Sequence, residues 1–232
     1  MHASSIQAVI FDFDLTLADS SDAIVECTQY ALGHLECHDA TPAQIRAVIG
    51  LSLPMMFQTL SNDADPECAA AFVKHFVARA DAIMVQSTRI YPEVPALLAN
   101  LRAEGLSVAI VSTKFRHRID AILTVAGLRE QVDVVIGGED VQRHKPDPEG
   151  IAQALGRLNL TASEAIYVGD HAVDAQAAAQ AGTGFIGMVT GTTSHAGWAE
   201  AGKMAVKSHV GEVASLVRAM RSPTPQASAD VA

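Results

Sequence analysis

The chain has 232 residues, 49% of them hydrophobic, and a formal charge of −10 from 16 Lys+Arg against 26 Asp+Glu. An acid excess with no basic tract argues against nucleic acid or an anionic membrane as partner. Mean hydropathy is +0.21, yet no apolar stretch approaches the ~18 residues that a spanning helix needs, and at about 150 residues per domain the length fits one large domain or a domain carrying an insert.

Met1 to Ile10 has no basic leader, and the apolar run Gln7 to Phe11 is cut by Asp12 and Asp14. That run reads as a buried strand and not as a signal peptide. Cys27, Cys37 and Cys68 are odd in number and lack paired spacing, which suits free thiols in a reducing cytoplasm. From Ser20 to Ser87 the pattern is helical. Ser20 or Ser21 is placed to cap a helix reaching Leu32. Thr41-Pro-Ala-Gln44 combines a cap, a proline at the first helical position and a capping-box glutamine. Ser52 with Pro54 opens a third helix, and Asp65-Pro66-Glu67 opens a long fourth one through Met84. His34, Cys37 and His38 offer three metal-type ligands without a fourth, so a polar helix end is preferred.

After Tyr91 the pattern changes. Helices are expected at Val94–Ala103, Arg116–Ala126, from Asp147-Pro148, at Asp174–Ala181 and at Glu212–Met220. Strands are expected at Ser107–Val111, Val132–Ile136, Ala165–Val168, Gly184–Met188 and Met204–Lys207. Such alternation implies right-handed crossovers and a parallel sheet covered on both faces. The expected fold is therefore α/β: a Rossmann-like three-layer core (residues 1–18 and 88–221) with an inserted all-helical cap (19–87) and a disordered tail (222–232). An insert directly after the first strand lies at the sheet edge where open α/β sheets bind ligands, and there it can act as a lid.

The strand ends carry the chemistry. Asp12 ends the first strand and Asp14 lies two residues on, on the same face of extended chain. Two close carboxylates repel unless a cation is present or one holds a proton. An ionised aspartate is a nucleophile, and a protonated neighbour is a general acid. Ser112 ends the second core strand, where a hydroxyl and helix-start N–H groups can hold phosphate oxygens. Lys145 follows the third, placed to offset carboxylates or bind phosphate. Asp170 ends the fourth, with Asp174 four residues later, and hard oxygens of this kind suit Mg²⁺. Taken singly, each also reads as a cap or a solvated charge. Together they converge on one edge of a parallel sheet.

With these motifs in order, the chain resembles the haloacid dehalogenase-like hydrolase superfamily. The resemblance rests on DFDLT (12–16), Ser112, Lys145 in KPDP and GDHAVD (169–174), and it runs from Ile6 to about Met220. LADS (17–20), YPEVPALLANLRAEG (91–105) and IGGEDVQRHKPDPEG (136–150) fit it too, and the helical segment sits where the C1-capped subfamily carries its cap. IGLSL (49–53) and the VSTK segment look most like phosphoglycolate phosphatases and related small-phosphoester phosphatases. The resemblance implies that Asp12 attacks phosphorus to form an aspartyl-phosphate, and that Asp14 protonates the leaving oxygen and then activates water. It implies Mg²⁺ held by Asp12, the Asp14 backbone carbonyl and Asp170, with Asp174 behind, and a phosphoryl group gripped by Ser112 and Lys145. Thr113, Lys114 and Arg46 are further candidates for the substrate. Departures are His171 in place of a frequent Ser or Thr, Thr113 in place of Asn, and Glu93 in place of Gly. Arg116, His117 and Arg118 read as solvated helix charges.

The expected function is phosphatase action on a small anionic phosphomonoester, by a cytoplasmic monomer or homodimer that uses Mg²⁺. Pyrophosphatase, sugar-phosphate phosphatase and phosphomutase are alternatives on the same scaffold. A dehalogenase or phosphonate hydrolase is disfavoured, because those relatives lack an acid at the Asp14 position. A non-catalytic phosphate-binding regulator would be expected to lose Asp12 or Asp14.

Overall fold

In the computed structural model the described residues are 6–37, 39–200 and 205–221, without the side chains of 199 and 200. His38, Met204 and the tail 222–232 lie outside them. Strand β1 (Ala8–Phe11) is buried along its whole length, as a central parallel strand must be. A turn and the short β2 (Ala18–Asp19) follow. Four helices come next: α1 (Ser21–Gly33), α2 (Pro42–Ala47), α3 (Leu53–Ser61) and α4 (Pro66–Ser87). Thr41 and Gln44 form the capping box of α2, and Asp65 caps α4 by accepting from the Glu67 N–H at 2.9 Å. Ser20 precedes α1 but does not cap it, because its hydroxyl points into the site described below. β3 (Arg89–Ile90) then pairs antiparallel with β2. This ribbon is too short to show as a sequence pattern.

Strands and helices then alternate: α5 (Val94–Ala103), β4 (Ser107–Val111), α6 (Arg116–Val125), β5 (Val134–Ile136), α7 (Glu149–Leu158), β6 (Ala165–Gly169), α8 (Ala172–Ala181), β7 (Gly184–Met188), β8 (Ala205–Lys207) and α9 (Val213–Arg221). Two helix starts differ from expectation. α7 begins at Glu149, because the Asp147 carboxylate accepts from the Glu149 N–H at 3.0 Å and so stands before the helix. α8 begins at Ala172 and not at Asp174, because His171 supplies its cap.

The main sheet is parallel throughout, in the order β5-β4-β1-β6-β7-β8. The chain winds outward from β1 through β4 to β5, then returns to β6 on the other side of β1. That reversal opens a crevice between β1 and β6 at their C-terminal ends, where ligands of doubly wound sheets bind. Alternate side chains of β1 serve opposite faces, as period two requires. Val9 and Phe11 join the layer of α5, α6 and α9, and Ala8 and Ile10 join that of α7 and α8. Helices α1 to α4 close around a third cluster that includes Ile24, Phe57, Phe72, Phe76 and Met84. Among the described residues no helix is long and apolar enough to cross a membrane.

Candidate active site

The register of the sheet sets the site. Phe11 lies level with Ile110 and Val168, so Asp12, Ser112 and Asp170 emerge within one or two residues of the same edge. The backbone ties them there: the Asp12 N–H donates to Val168 O at 2.8 Å and the Ser112 N–H to Ile136 O at 3.1 Å. Lys145 arrives on the loop between β5 and α7, and Asp174 in the first turn of α8. Asp12, Asp14, Ser112, Lys145, Asp170 and Asp174 are all buried, with none more than 8% exposed.

Lys145 is the hub. Its Nζ lies 3.1 Å from Asp12 Oδ2 and 2.6 Å from Asp174 Oδ1, and it donates to the Tyr167 hydroxyl at 3.2 Å. The second oxygen of Asp174 accepts from the His171 N–H at 3.0 Å. Asp170 Oδ1 accepts from Thr16 Oγ1 at 2.9 Å. Asp14 is held separately. Its Oδ1 accepts from Ser20 Oγ at 2.6 Å and lies 2.9 Å from Lys114 Nζ, and Thr88 Oγ1 in turn donates to Ser20 Oγ at 3.2 Å. The Asp14 carboxylate therefore stands apart from the other acids, with a second oxygen outside these contacts.

Apart from the Asp14–Lys114 pair, three buried carboxylates (Asp12, Asp170 and Asp174) thus face one buried lysine, Lys145, and the missing two positive charges equal one divalent cation. One oxygen each of Asp12, Asp170 and Asp174 lie within 4.8 Å of one another. Asp12 Oδ1 is buried with no hydrogen-bond partner. A buried charged oxygen left unpaired costs several kcal/mol in principle, so an orphan beside two more carboxylates fits a hard cation bound through oxygen, as Mg²⁺ is. Burial, opposed by the attraction of Lys145, pushes Asp12 up to about 6. Burial and repulsion from Asp174 and Asp12 hold Asp170 well above the usual carboxylate range.

Asp12 costs the metal-free fold nothing below about pH 4 and a growing amount as pH rises toward about 6, because the folded state holds a proton that the unfolded chain has released, and Asp170, raised in the same direction, adds to that cost. Metal binding needs the deprotonated ligands. The rise in melting temperature produced by Mg²⁺ is therefore expected to be small at about pH 5 and larger by roughly 5–10 °C at about pH 7.5. Thermal scans with and without Mg²⁺ at both pH values check this, and an equal rise at both contradicts it.

Other expected residues sit at the margins. Thr113 and Lys114 line a cavity of about 40 Å³ next to Asp14, walled by Ile24, Ile49, Met56 and Phe76 of the helical unit. Arg46 pairs with Asp22 at 2.5 Å and lines an open cleft of about 420 Å³ with Tyr91, Thr190 and Gly191. It touches none of the carboxylates of the site. Arg118 corrects the expectation of a solvated charge. It is 2% exposed, donates to Asp81 Oδ1 of α4 at 2.7 Å, and stacks over Phe115 at 4.9 Å, so it ties α6 to α4. His117 reaches the same Asp81 oxygen at 2.9 Å. His171 is also more than a surface residue. Its Nδ1 accepts from the Val173 N–H at 3.1 Å, and its ring lies against Gly50 of the helical unit. Burial pushes its imidazole down, in keeping with the neutral ring that an accepting Nδ1 demands.

Sequence reasoning missed Ser20, Thr16, Tyr167 and Gly191. Thr16 lies inside DFDLT, Tyr167 is the one hydroxyl in an otherwise apolar strand, and Ser20 closes LADS but reads as a helix cap; Gly191 has no local signal. A Cβ on Gly191 would stand 1.7 Å from Asp170 Oδ2, so only glycine permits this approach. Gly191→Ala is expected to push Asp170 aside and weaken Mg²⁺ activation about tenfold, read from a metal titration of activity. Unchanged Mg²⁺ dependence would show that the 190–192 loop yields instead.

Comparison with known proteins shows the family and the fold. The family model described as haloacid dehalogenase-like hydrolase matches residues 9–188. A phosphoglycolate phosphatase from Yersinia pseudotuberculosis is 32% identical over 194 residues, 81% of this chain and 82% of that protein. A phosphoglycolate phosphatase from Cereibacter sphaeroides is 32% identical over 214 residues, 90% and 97% of the two chains. The crystal structure of a haloacid dehalogenase-like hydrolase from Bacteroides fragilis aligns with a TM-score of 0.88 at 35% identity, covering 90% of this chain and all of that one.

Proposed function

Because this chain belongs to the haloacid dehalogenase-like hydrolase family and is a phosphoric monoester hydrolase, we propose that it hydrolyses a small phosphoglycolate-like phosphomonoester, with Mg²⁺, through an aspartyl-phosphate on Asp12. The observation that carries this reading is the Asp12 carboxylate: buried, one oxygen without a partner, the other 3.1 Å from Lys145. An Asp12 oxygen attacks phosphorus and the ester P–O bond breaks, while protonated Asp14 gives its proton to the leaving oxygen. Asp14, now a carboxylate, takes a proton from water, whose oxygen attacks phosphorus. The Asp12–phosphorus bond breaks and inorganic phosphate leaves.

Lys145 and Ser112 offset the charge gathering on the phosphoryl oxygens, the main demand of phosphoryl transfer. Asp12, Asp170 and the Asp14 backbone carbonyl, with Asp174 behind, would hold Mg²⁺, which would supply two positive charges there. Ser20 and Lys114 both engage Asp14 Oδ1, which leaves Oδ2 for the proton it exchanges. The cavity beside Asp14 receives the leaving alcohol, with Thr113 and Lys114 at its wall, and Arg46 attracts an anionic substrate from the cleft rim. Helices α1 to α4 act as the lid.

The test is phosphate release from phosphoglycolate, sugar phosphates, nucleotides and pyrophosphate, with Mg²⁺ and with chelator. Release from at least one phosphomonoester, lost on chelation, is expected. No release from any member would sink the reading, and release from pyrophosphate alone would replace it with a pyrophosphatase.

A further inference from the structure

Tyr167 is fully buried, and the roles above leave its hydroxyl unused. It is the one polar side chain of β6, Ala-Ile-Tyr-Val-Gly. The ring belongs to the apolar layer and stacks on Phe185 at 6.4 Å between centroids. The hydroxyl lies beneath the site and donates to Val111 O at 2.8 Å. A hydroxyl has a single proton, so with that proton on Val111 the oxygen faces Lys145 Nζ as an acceptor at 3.2 Å, with Asp174 Oδ1 further off at 3.4 Å. Burial holds the phenol well above its ordinary range, so it keeps its proton.

An ammonium group has three N–H donors, and three acceptors surround this one: Asp174 Oδ1, Tyr167 Oη and Asp12 Oδ2. Of the three, only Asp12 changes chemically in the proposed reaction, when its carboxylate becomes an acyl phosphate. The bonds to Asp174 and Tyr167 persist, and two fixed legs of a tripod dictate where the third points. We propose that Tyr167 is a positioning residue: its hydroxyl, pinned by the Val111 carbonyl, works with Asp174 to aim the remaining Lys145 N–H at the phosphoryl group on Asp12. This role rests on Asp12 being the nucleophile.

Tyr167→Phe removes the oxygen and keeps the ring. Binding of inorganic phosphate in the presence of Mg²⁺, measured by calorimetry, is expected to weaken about five- to tenfold, the size of one ordinary hydrogen bond. KM for the best phosphoester should rise by a similar factor. Phe185→Leu loosens packing around the same ring without touching the oxygen, so it should lower the melting temperature and leave phosphate binding alone. In a Lys145→Met background, Tyr167→Phe should change phosphate binding no further, since its effect passes through Lys145.

A Tyr167→Phe protein that binds phosphate like wild type overturns the proposal, and so does an equal weakening in the Lys145→Met background. Should Tyr167→Phe not fold, a second measurement decides. The chain has three tyrosines, so fluorotyrosine in a Tyr30→Phe, Tyr91→Phe background labels position 167 alone. Its fluorine resonance should move when phosphate binds, and a resonance unmoved at saturating phosphate overturns the role. Wild type that turns over phosphoesters while Tyr167→Phe is unaffected defeats only the positioning role. Wild type that neither binds phosphate nor hydrolyses any phosphoester defeats the phosphatase reading, and this role with it.

Discussion

Asp12→Asn is expected to reduce phosphate release by at least about 10³-fold while the protein stays folded. Asparagine has nearly the shape of aspartate, so the buried packing at the end of β1 is preserved. Its amide has no ionised oxygen to attack phosphorus. The loss is therefore chemical and should appear in kcat. Stability should not suffer, because Asp12 is one of a set of carboxylates that repel one another: burial and its acidic neighbours disfavour the charge there, and Lys145 is the group that chiefly favours it. Without metal, the variant is expected to melt at or above the wild-type temperature near neutral pH. With Mg²⁺ it should gain less than wild type, having lost a charged ligand. Phosphate-release kinetics and thermal scans make both measurements. Activity within tenfold of wild type would remove Asp12 from the nucleophile's role, and a strongly lowered melting temperature would show that the carboxylate is structural.

Lys145→Met should have the largest effect on stability. Methionine keeps much of the aliphatic stem, so the change is chiefly one of charge. Asp12 and Asp174, 3.1 and 2.6 Å from the lysine, would then share a buried space with no counter-ion. Removing one partner from a buried ion pair costs about 3–5 kcal/mol. The loss should shrink on acidification, because Asp12, which titrates at about 6 with Lys145 beside it, takes its proton more readily once that cation is gone, and shrink also when Mg²⁺ is added. Activity should fall at least about a hundredfold, since the phosphoryl charge loses its fixed cation. Denaturant unfolding at neutral and mildly acidic pH measures the difference. A destabilisation below about 1 kcal/mol at neutral pH, or one that grows on acidification, would be incompatible with Lys145 as the counter-charge of this cluster.

Much of the fold could be read along the chain. Apolar runs of four or five residues, each ended by a polar residue and separated by helical stretches, specify a parallel sheet whatever else is known. Glycine at positions 105, 127 and 182, each with positive φ, ends a helix where the pattern said it should. The same logic placed Asp12, Ser112, Lys145 and Asp170 at one edge, because in a parallel sheet every strand ends on the same side. What escaped were contacts between parts distant in sequence. Ser20 looked like a cap because Ser before a helix usually is one. Only folding shows a carboxylate close enough to capture its hydroxyl. Arg118 looked solvated because an arginine on a helix usually is, and only the packing of α6 on α4 brings Asp81 to it.

By itself, then, the sequence determined at which edge of the sheet these polar residues meet, since periodicity and strand direction are local properties of the chain. The tertiary structure alone decided how those charges are shared. It gave Lys145 to Asp12 and Asp174, gave Lys114 and Ser20 to Asp14, and left one oxygen of Asp12 without a partner. Those pairings depend on contacts of 2.6 to 3.1 Å between side chains from five different segments. No spacing along the chain encodes such distances, because in a buried, low-dielectric site the pairing is settled by which side chains the packing brings into contact.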